Sequence, residues 1–183
     1  LGNAKKELLH LGNYAVKAFD LSYDYIINSD EKVAEKGHKT EEAINTIDEK
    51  LTRYLISLSS EALSQKESEV LTNILDSSRD LERIGDHAEA LINLNDYLQR
   101  KNVQFSNSAL EELEEIYHQT SDFVKDALES VENNDLEKAQ SLIERHEAIN
   151  KMERVLRKTH IKRLNNGECS TQAGVNFIDI ISH

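Results

Sequence analysis

Apolar residues recur at steps of three and four along almost the whole chain, which is the spacing of one buried face of an α-helix. The pattern is interrupted by polar clusters at 28–30, 102–107, 133–135 and 165–167. Together with a turn signal near Ser64, these clusters predict six helices. The first runs from about residue 5 to 27 and the second from about 31 to 63. The sixth begins at Ser170 or Thr171 and is still amphipathic where the chain stops at His183.

Capping residues mark several of the predicted helix ends. Ser64 with Glu67 and Ser108 with Glu111 both have the spacing of a capping box, in which two side chains satisfy free N–H groups at a helix start. We therefore expect the third helix to begin after Ser64 and the fourth after Ser108. The sequence Asn-Asn-Gly at 165–167 is typical of a helix C-terminus.

The apolar stripe of each helix predicts the core. In the first helix the stripe consists of Leu8, Leu11, Ala15, Ala18 and Tyr25. In the third helix it consists of Leu71, Ile74, Ser78, Leu81, Gly85, Ala88 and Ile92. In the fourth helix it consists of Leu110, Leu113, Tyr117, Thr120, Val124, Ala127 and Val131.

The two halves of the chain repeat. Glu-Ala-Ile-Asn at 42–45 recurs at 147–150, and the polar break at 28–30 recurs at 133–135 with the same offset. Since a single helix cannot bury its stripe alone, each half is predicted to be an antiparallel three-helix bundle. The fold class is therefore all-α, with repeats at 1–101 and 106–183 and the last helix of the second repeat incomplete.

The amino-acid composition excludes several kinds of function and structure. The chain has no proline, and its net charge is 22 − 34 = −12, so it repels nucleic acid and a general basic binding surface is excluded. No run of about 18 apolar residues is present, so no segment is expected to cross a membrane. The one cysteine, Cys169, excludes an internal disulfide. The chain begins at Leu1 rather than at methionine, and we expect it to be part of a longer protein.

Carboxylates on two neighbouring helices form the candidate site. On the third helix Glu82, Asp86 and Glu89 share one stripe, and the second helix carries Glu41, Asn45 and Asp48. Asn45 lies 19 residues before the turn at Ser64 and Arg83 lies 19 after it, so the two sets are expected at one height. Oxygen ligands of this kind suit Mg, Mn, Ca or iron, whereas a solvated acidic helix surface is the plain alternative.

Two other patterns suggest chemistry. Glu-x-x-His, the spacing used in ferritin-like di-iron proteins, occurs at Glu7/His10, Glu35/His38 and Glu115/His118. The end of the fifth helix is basic, which the helix dipole favours, although a contact with phosphate, lipid headgroups or a transporter loop is the functional alternative. Its cations are Lys151, Arg154, Arg157, Lys158, Lys162 and Arg163.

The segment Leu-Glu-Arg-Ile-Gly-Asp-His-Ala-Glu at 81–89 resembles the signature of the PhoU family, whose repeated three-helix bundles bind metal through paired Glu/Asp-x-x-x-Asp motifs. The resemblance assigns Glu82 and Asp86 to one motif. Glu41 and Asn45 would form its partner, with Asn45 in place of a carboxylate. In the second half the equivalent pair is His146 and Asn150, and the matching third-helix motif would fall beyond the last residue.

A second run, residues 157–164 followed by Gly167 and Cys169, resembles the PhoU-like tail of bacterial Na/Pi-cotransporter family proteins. The resemblance implies a non-catalytic, metal-binding regulatory domain in the cytoplasm, at the inner face of the cell membrane, that acts in phosphate transport. The implied ion is divalent or ferric (Fe, Zn, Mn or Mg). The implied partners are a membrane transporter domain, in the same or another chain, and a second copy. A free-standing PhoU-type negative regulator of an ABC phosphate transporter and its sensor kinase is the alternative, and a di-iron enzyme is a further one.

Overall fold

The computed structural model describes every residue from Leu1 to His183 and contains six α-helices and no strand, which confirms the predicted all-α fold. The helices are α1 (Gly2–Asn28), α2 (Glu31–Ser59), α3 (Gln65–Arg100), α4 (Asn107–Asn133), α5 (Leu136–Asn165) and α6 (Thr171–Ser182). None of them has an apolar stretch long enough to cross a bilayer.

The α2–α3 turn shows why one predicted boundary was wrong. The second helix ends at Ser59 rather than near residue 63. Hydroxyls at its end bond to carbonyls of the preceding turn, Ser57 to Tyr54 and Ser60 to Ser57, both at 2.7 Å. Such bonds compete with continuation of the helix. The Ser64–Glu67 capping box is confirmed, since the Ser64 N–H donates to Glu67 Oε2 at 2.9 Å and the Glu67 N–H donates to Ser64 Oγ at 3.3 Å.

The fourth helix begins two residues earlier than predicted. Ser106, not Ser108, is the N-cap, and its Oγ accepts the N–H of Ala109 at 3.2 Å. Ser108 lies inside the first helical turn, so the predicted box with Glu111 does not form. The earlier start allows Ala109 to be buried on the same face as Leu113.

The other predicted breaks are present. Asn134 adopts a left-handed conformation with φ 52°, and Asp135 then caps α5 by accepting the N–H of Lys138 at 2.9 Å. Gly167, with φ 70°, follows the end of α5. Ser170 caps α6 by accepting the N–H of Ala173 at 3.1 Å.

The chain forms two compact units, Leu1–Ser22 with Asp30–Glu89 and Tyr23–Ser29 with Ala90–His183. These units follow spatial contacts rather than sequence repetition, so the repeat boundaries at 101 and 106 stay a prediction. In the first unit α1 and α3 pack through their apolar stripes, and α2 buries Ile44, Leu51 and Leu55. Every residue predicted for the first and third stripes is buried.

In the second unit α5 packs along α4, and α6 packs against both. Phe177 of α6 is fully buried, and its ring stacks on that of His160 with centroids 3.6 Å apart. The predicted α4 stripe is only partly right, because Val131 at its end is exposed while Ile116 and Ser121 are buried. The buried face of α4 is therefore rotated from the predicted one.

The α5–α6 contact depends on Gly174. A Cβ built there would lie 2.5 Å from Leu164 Cγ, whereas one built at Gly2 would meet nothing within 4 Å. We expect Gly174→Ala to lower the free energy of unfolding by about 1 kcal/mol or more, because Leu164 must shift to make room. Urea unfolding followed by circular dichroism measures this change. Gly2→Ala is the matched control, and an equal effect of both substitutions would contradict the close contact.

Candidate functional site

The two acidic sets face each other on α2 and α3 in the first unit. Ser78 Oγ of α3 donates to Asp48 of α2, and about three turns away His38 Nδ1 of α2 lies 3.4 Å from Glu89 Oε1 of α3. Between them Gly85 lies against Ile44, where a Cβ at position 85 would be 3.0 Å from Ile44 Cδ1. These three contacts place the two sets at one height along an antiparallel helix pair. We call the six residues Glu41, Asn45, Asp48, Glu82, Asp86 and Glu89 the acidic seam.

Glu41 is the most buried carboxylate of the seam, with 7% of its surface exposed. Burial raises the pKa of its carboxyl group above the ordinary range, and the charges of Glu89 and Asp86 raise it further. A hydrogen bond from the Asn45 side-chain amide to Glu41 Oε1 acts in the opposite direction but does not outweigh burial. Glu41 is therefore held among like charges, with an amide as its hydrogen-bond donor.

Glu82 has the same character on the other helix. Burial raises its pKa, and the charges of Asp86, Asp48 and Glu41 and a hydrogen bond with the Asp86 side chain add to the effect. Carboxylates from both helices thus contribute to the potential at one side chain. In the charged state they repel one another, so a proton or a cation bound between them would relieve the repulsion.

The donor set fits a hard cation in chemistry, but its atoms are not gathered around one point. The seam offers carboxylate oxygens and one amide oxygen, which are ligands for Mg²⁺, Mn²⁺ or iron. No group of three or more His, Cys, Asp or Glu side chains has an arrangement that could hold one ion. The assignment of the six seam residues as metal ligands stays a prediction.

Two further side chains contact the acidic seam. In the sequence, Ser78 is part of the stripe predicted for the third helix and His38 is part of a Glu-x-x-His pair. Ser78 lies four residues before Glu82 and His38 lies three before Glu41, so helical spacing alone places both beside the carboxylates. Their partners, Asp48 and Glu89, are on the opposite helix in each case.

The equivalent position of the second repeat has different chemistry. The Asn150 amide lies 3.5 Å from the His146 ring nitrogens, and the His146 ring lies near that of Phe123 with centroids 6.0 Å apart. His146 therefore occupies the position that Glu41 has in the first repeat.

None of the three Glu-x-x-His pairs turns both of its side chains into the core. Glu7 and His10 are both exposed, and Glu35 pairs with Lys39 rather than with His38. His118 is exposed and lies 3.6 Å from Glu114 Oε1, on the solvent side of α4. A di-iron centre needs such pairs to project inward together, so the arrangement does not favour it.

A buried cluster in the second unit was not predicted. Glu112 of α4 accepts from His160 Nε2 at 2.8 Å and from Arg163 at 2.9 and 3.0 Å. Burial works to raise the pKa of Glu112, but the hydrogen bonds from Arg163 and His160 outweigh it and the pKa is lowered. His160 lies four residues after Leu156 on the buried face, a spacing that marks it as a core position. This cluster holds α5 to α4.

Comparison with known proteins gives one family and one solved structure. The family description "PhoU domain" matches residues 8–94 and 113–183. The crystal structure of PhoU from Pseudomonas aeruginosa is similar, with a TM-score of 0.89 and 20% sequence identity. The alignment covers 100% of this chain and 87% of that one. No curated protein sequence matches the chain.

The raised pKa of Glu82 predicts a pH-dependent stability. The folded protein binds this proton more tightly than the unfolded chain, so the charged seam costs stability at pH 7 and the cost disappears as pH falls through the raised pKa. We expect Glu82→Gln to stabilise the chelator-treated protein at pH 7 and to change it least below about pH 4.5, where the unfolded carboxyl group is also protonated.

Urea unfolding across this pH range measures the difference between wild type and variant. Glu61→Gln, at an exposed position after α2, is the control and should show no such pH dependence. A Glu82→Gln variant that is less stable than wild type at pH 7 would contradict the repulsion between the helices.

Proposed function

The chain belongs to the PhoU domain family, and from this premise we propose that it is a PhoU-type regulator that restrains phosphate uptake through contacts with transport proteins. One observation carries the proposal. The family match covers residues in both halves of the chain, and the structural alignment covers 87% of the PhoU chain from Pseudomonas aeruginosa. PhoU proteins are regulators rather than enzymes, so the seam is proposed to bind and not to catalyse.

The comparisons favour a free-standing regulator of an ABC phosphate transporter and its sensor kinase. A PhoU-like domain that works with a Na/Pi-cotransporter is the second candidate, supported by the run at 157–164 and its resemblance to that tail. Both proposals place the domain in the cytoplasm at the inner face of the membrane. They differ in the membrane protein that receives the contact.

We further propose that the acidic seam binds a divalent or ferric ion. The support is electrostatic: burial raises the pKa of Glu41 and of Glu82, and carboxylates of the opposite helix raise both further. Glu41, Glu82 and Asp86 would hold the ion, with Asp48, Glu89 and the Asn45 amide oxygen beside them. A bound cation would supply the positive charge that these residues lack among themselves and would stabilise the α2–α3 pair.

Replacing Glu82 and Asp86 together by alanine should remove the ion. We expect protein purified without chelator to contain metal by mass spectrometry. The double variant should lose it, with affinity for added Mn²⁺ or Zn²⁺ reduced at least about tenfold in calorimetry. Asp76→Ala/Asp80→Ala is the matched control, since both residues are exposed carboxylates with the same spacing on α3. Equal metal content in both variants would refute the seam as the site.

Deleting the encoding gene in its own host tests the regulatory role. If the protein restrains uptake, the deletion strain should continue to import radiolabelled phosphate when external phosphate is high. The intact gene should restore the limit. Unchanged uptake and an unchanged phosphate response would refute the proposal.

Affinity-tagged protein then separates the two candidates. Cross-linking in cells should recover either the ATP-binding subunit and sensor kinase or a Na/Pi-cotransporter. Recovery of the cotransporter alone would refute the hypothesis that the protein regulates an ABC phosphate transporter.

A further inference from the structure

A cavity of about 360 Å³ lies in the second unit, where the start of α4, the end of α5 and the start of α6 meet. Polar side chains from all three elements line it, among them Ser106, Ser108, His160, Arg163 and Ser170. None of its lining residues belongs to the acidic seam. A cavity of this size is in the lower part of the range of small-molecule sites, and its walls consist mainly of hydrogen-bond donors.

His160 brings a free ring nitrogen to the wall of this cavity. The residue is 3% exposed, and its Nε2 donates to Glu112 Oε2 at 2.8 Å. Because a carboxylate can only accept, Nε2 carries a proton. Nδ1 has no hydrogen-bond partner within the chain. It is not enclosed, since no enclosed side-chain nitrogen or oxygen lacks a partner, and the imidazole therefore offers Nδ1 to the cavity.

Arg163 supplies a fixed positive charge beside His160. Its Nη1 and Nη2 donate to the two carboxylate oxygens of Glu112 at 3.0 and 2.9 Å, which holds the guanidinium in one orientation. The hydrogen bond to Glu112 raises the pKa of Arg163, so the group stays charged. Its Nε–H has no partner within the chain and is available to a ligand. Glu168, a carboxylate in the lining, is exposed and accepts from Asn166 Nδ2 at 2.9 Å.

Two helix starts add further donors to the same cavity. The N-cap hydroxyls of Ser106 and Ser170 are already used, since each accepts an N–H of its own helix, at 3.2 and 3.1 Å. The N–H groups of residues 107–108 and 171–172 have no acceptor within their helices. Such groups attract an anion both by their partial charge and by hydrogen bonding. They reinforce the two side chains of α5.

The cavity also has an apolar wall. Phe105 is half-buried in the connector before α4, and its ring meets that of Phe177 edge to face with centroids 5.9 Å apart. Ala109 and Ala173 continue this wall on the two helices. The space is larger than an inorganic phosphate ion needs, so an organic group has room to lie against Phe105.

We propose that this cavity binds a small molecule through a phosphoryl group, with Arg163, His160 and the two helix starts as its hydrogen-bond partners. Phosphoryl oxygens accept from N–H groups, and a singly protonated phosphoryl group also has a hydroxyl that can donate to Nδ1 of a neutral imidazole. An ionised carboxylate has fewer oxygens and no hydroxyl. The proposal goes beyond the regulatory role proposed above and does not rest on it, because it concerns binding by the purified protein alone.

Isothermal titration calorimetry of the full chain tests the binding. The protein is treated with chelator, so that a metal at the acidic seam cannot hold the probe. The probes are inorganic phosphate, glycerol 3-phosphate and adenosine monophosphate, with acetate as the carboxylate. We expect at least one phosphoryl probe to bind saturably, one molecule per chain, at least about tenfold more tightly than acetate.

The same titrations identify the source of the phosphoryl group. Tighter binding of a monoester than of inorganic phosphate supports an organic ligand that uses the Phe105 wall. Equal affinities support free phosphate as the ligand. Saturable binding of none of the three probes, or acetate binding as tightly as they do, overturns the proposal.

Ser108→Glu locates the site. Ser108 is exposed, lines the cavity and lies in the first turn of α4, where the helix dipole favours a carboxylate. The variant should therefore fold normally by circular dichroism, while its charge repels the ligand and lowers the affinity at least about tenfold. Ser68→Glu, at an exposed serine in the first turn of α3, is the matched control and should bind like wild type. Equal affinity of the two variants overturns the cavity as the site.

Cys169 provides an independent readout of occupancy, because it is the one cysteine of the chain and lines the cavity. The probe that binds in calorimetry should slow the alkylation of its thiol by N-ethylmaleimide. At the same probe concentration, Ser68→Glu should show this protection and Ser108→Glu should not. Saturable binding without any change in the alkylation rate would place the probe elsewhere and overturn the proposal.

Discussion

Close contact between α2 and α3 is the constraint on which the candidate site depends. Two packed helices approach each other most closely where their contact residues are small, and side chains beside the contact then interact most strongly. Gly85 fills this role, since its missing side chain leaves room for Ile44. Burial at this contact raises the pKa of Glu41 and of Glu82, and the charges of carboxylates on the opposite helix raise both further. Packing and repulsion are therefore two consequences of one contact.

Most of the fold could be predicted from the sequence because the helices are long and strongly periodic. The stripes of α1 and α3 repeat over many turns, and all of their predicted residues are buried. The predictions were wrong at helix ends, where only a few residues of sequence pattern indicate the boundary. Two serines two residues apart could each cap α4, and only tertiary burial of Ala109 selects Ser106. Val131 fits the periodicity of α4 but lies at its end, where the core does not reach it.

The site was less predictable than the fold. Spacing from the turn placed the two carboxylate sets at one height, because helix rise is regular. Spacing could not show that Asn45 would bond to Glu41, nor that Asp48 would accept from Ser78. Those choices depend on side-chain rotamers and on the neighbouring helix. The Glu112–His160–Arg163 cluster was missed for a related reason, since Glu112 lies 48 residues from His160 in sequence.

The charged side chains are arranged differently in the two repeats, although both repeats consist of packed helices. In the first repeat, like charges face each other across α2 and α3, so the bundle retains a repulsion that a proton or cation can relieve. In the second, Arg163 and Arg145 of α5 form ion pairs with Glu112 and Asp126 of α4. A local arrangement that destabilises the folded protein is commonly found at a functional site. By that reasoning the acidic seam is the position at which we propose that a small cation binds.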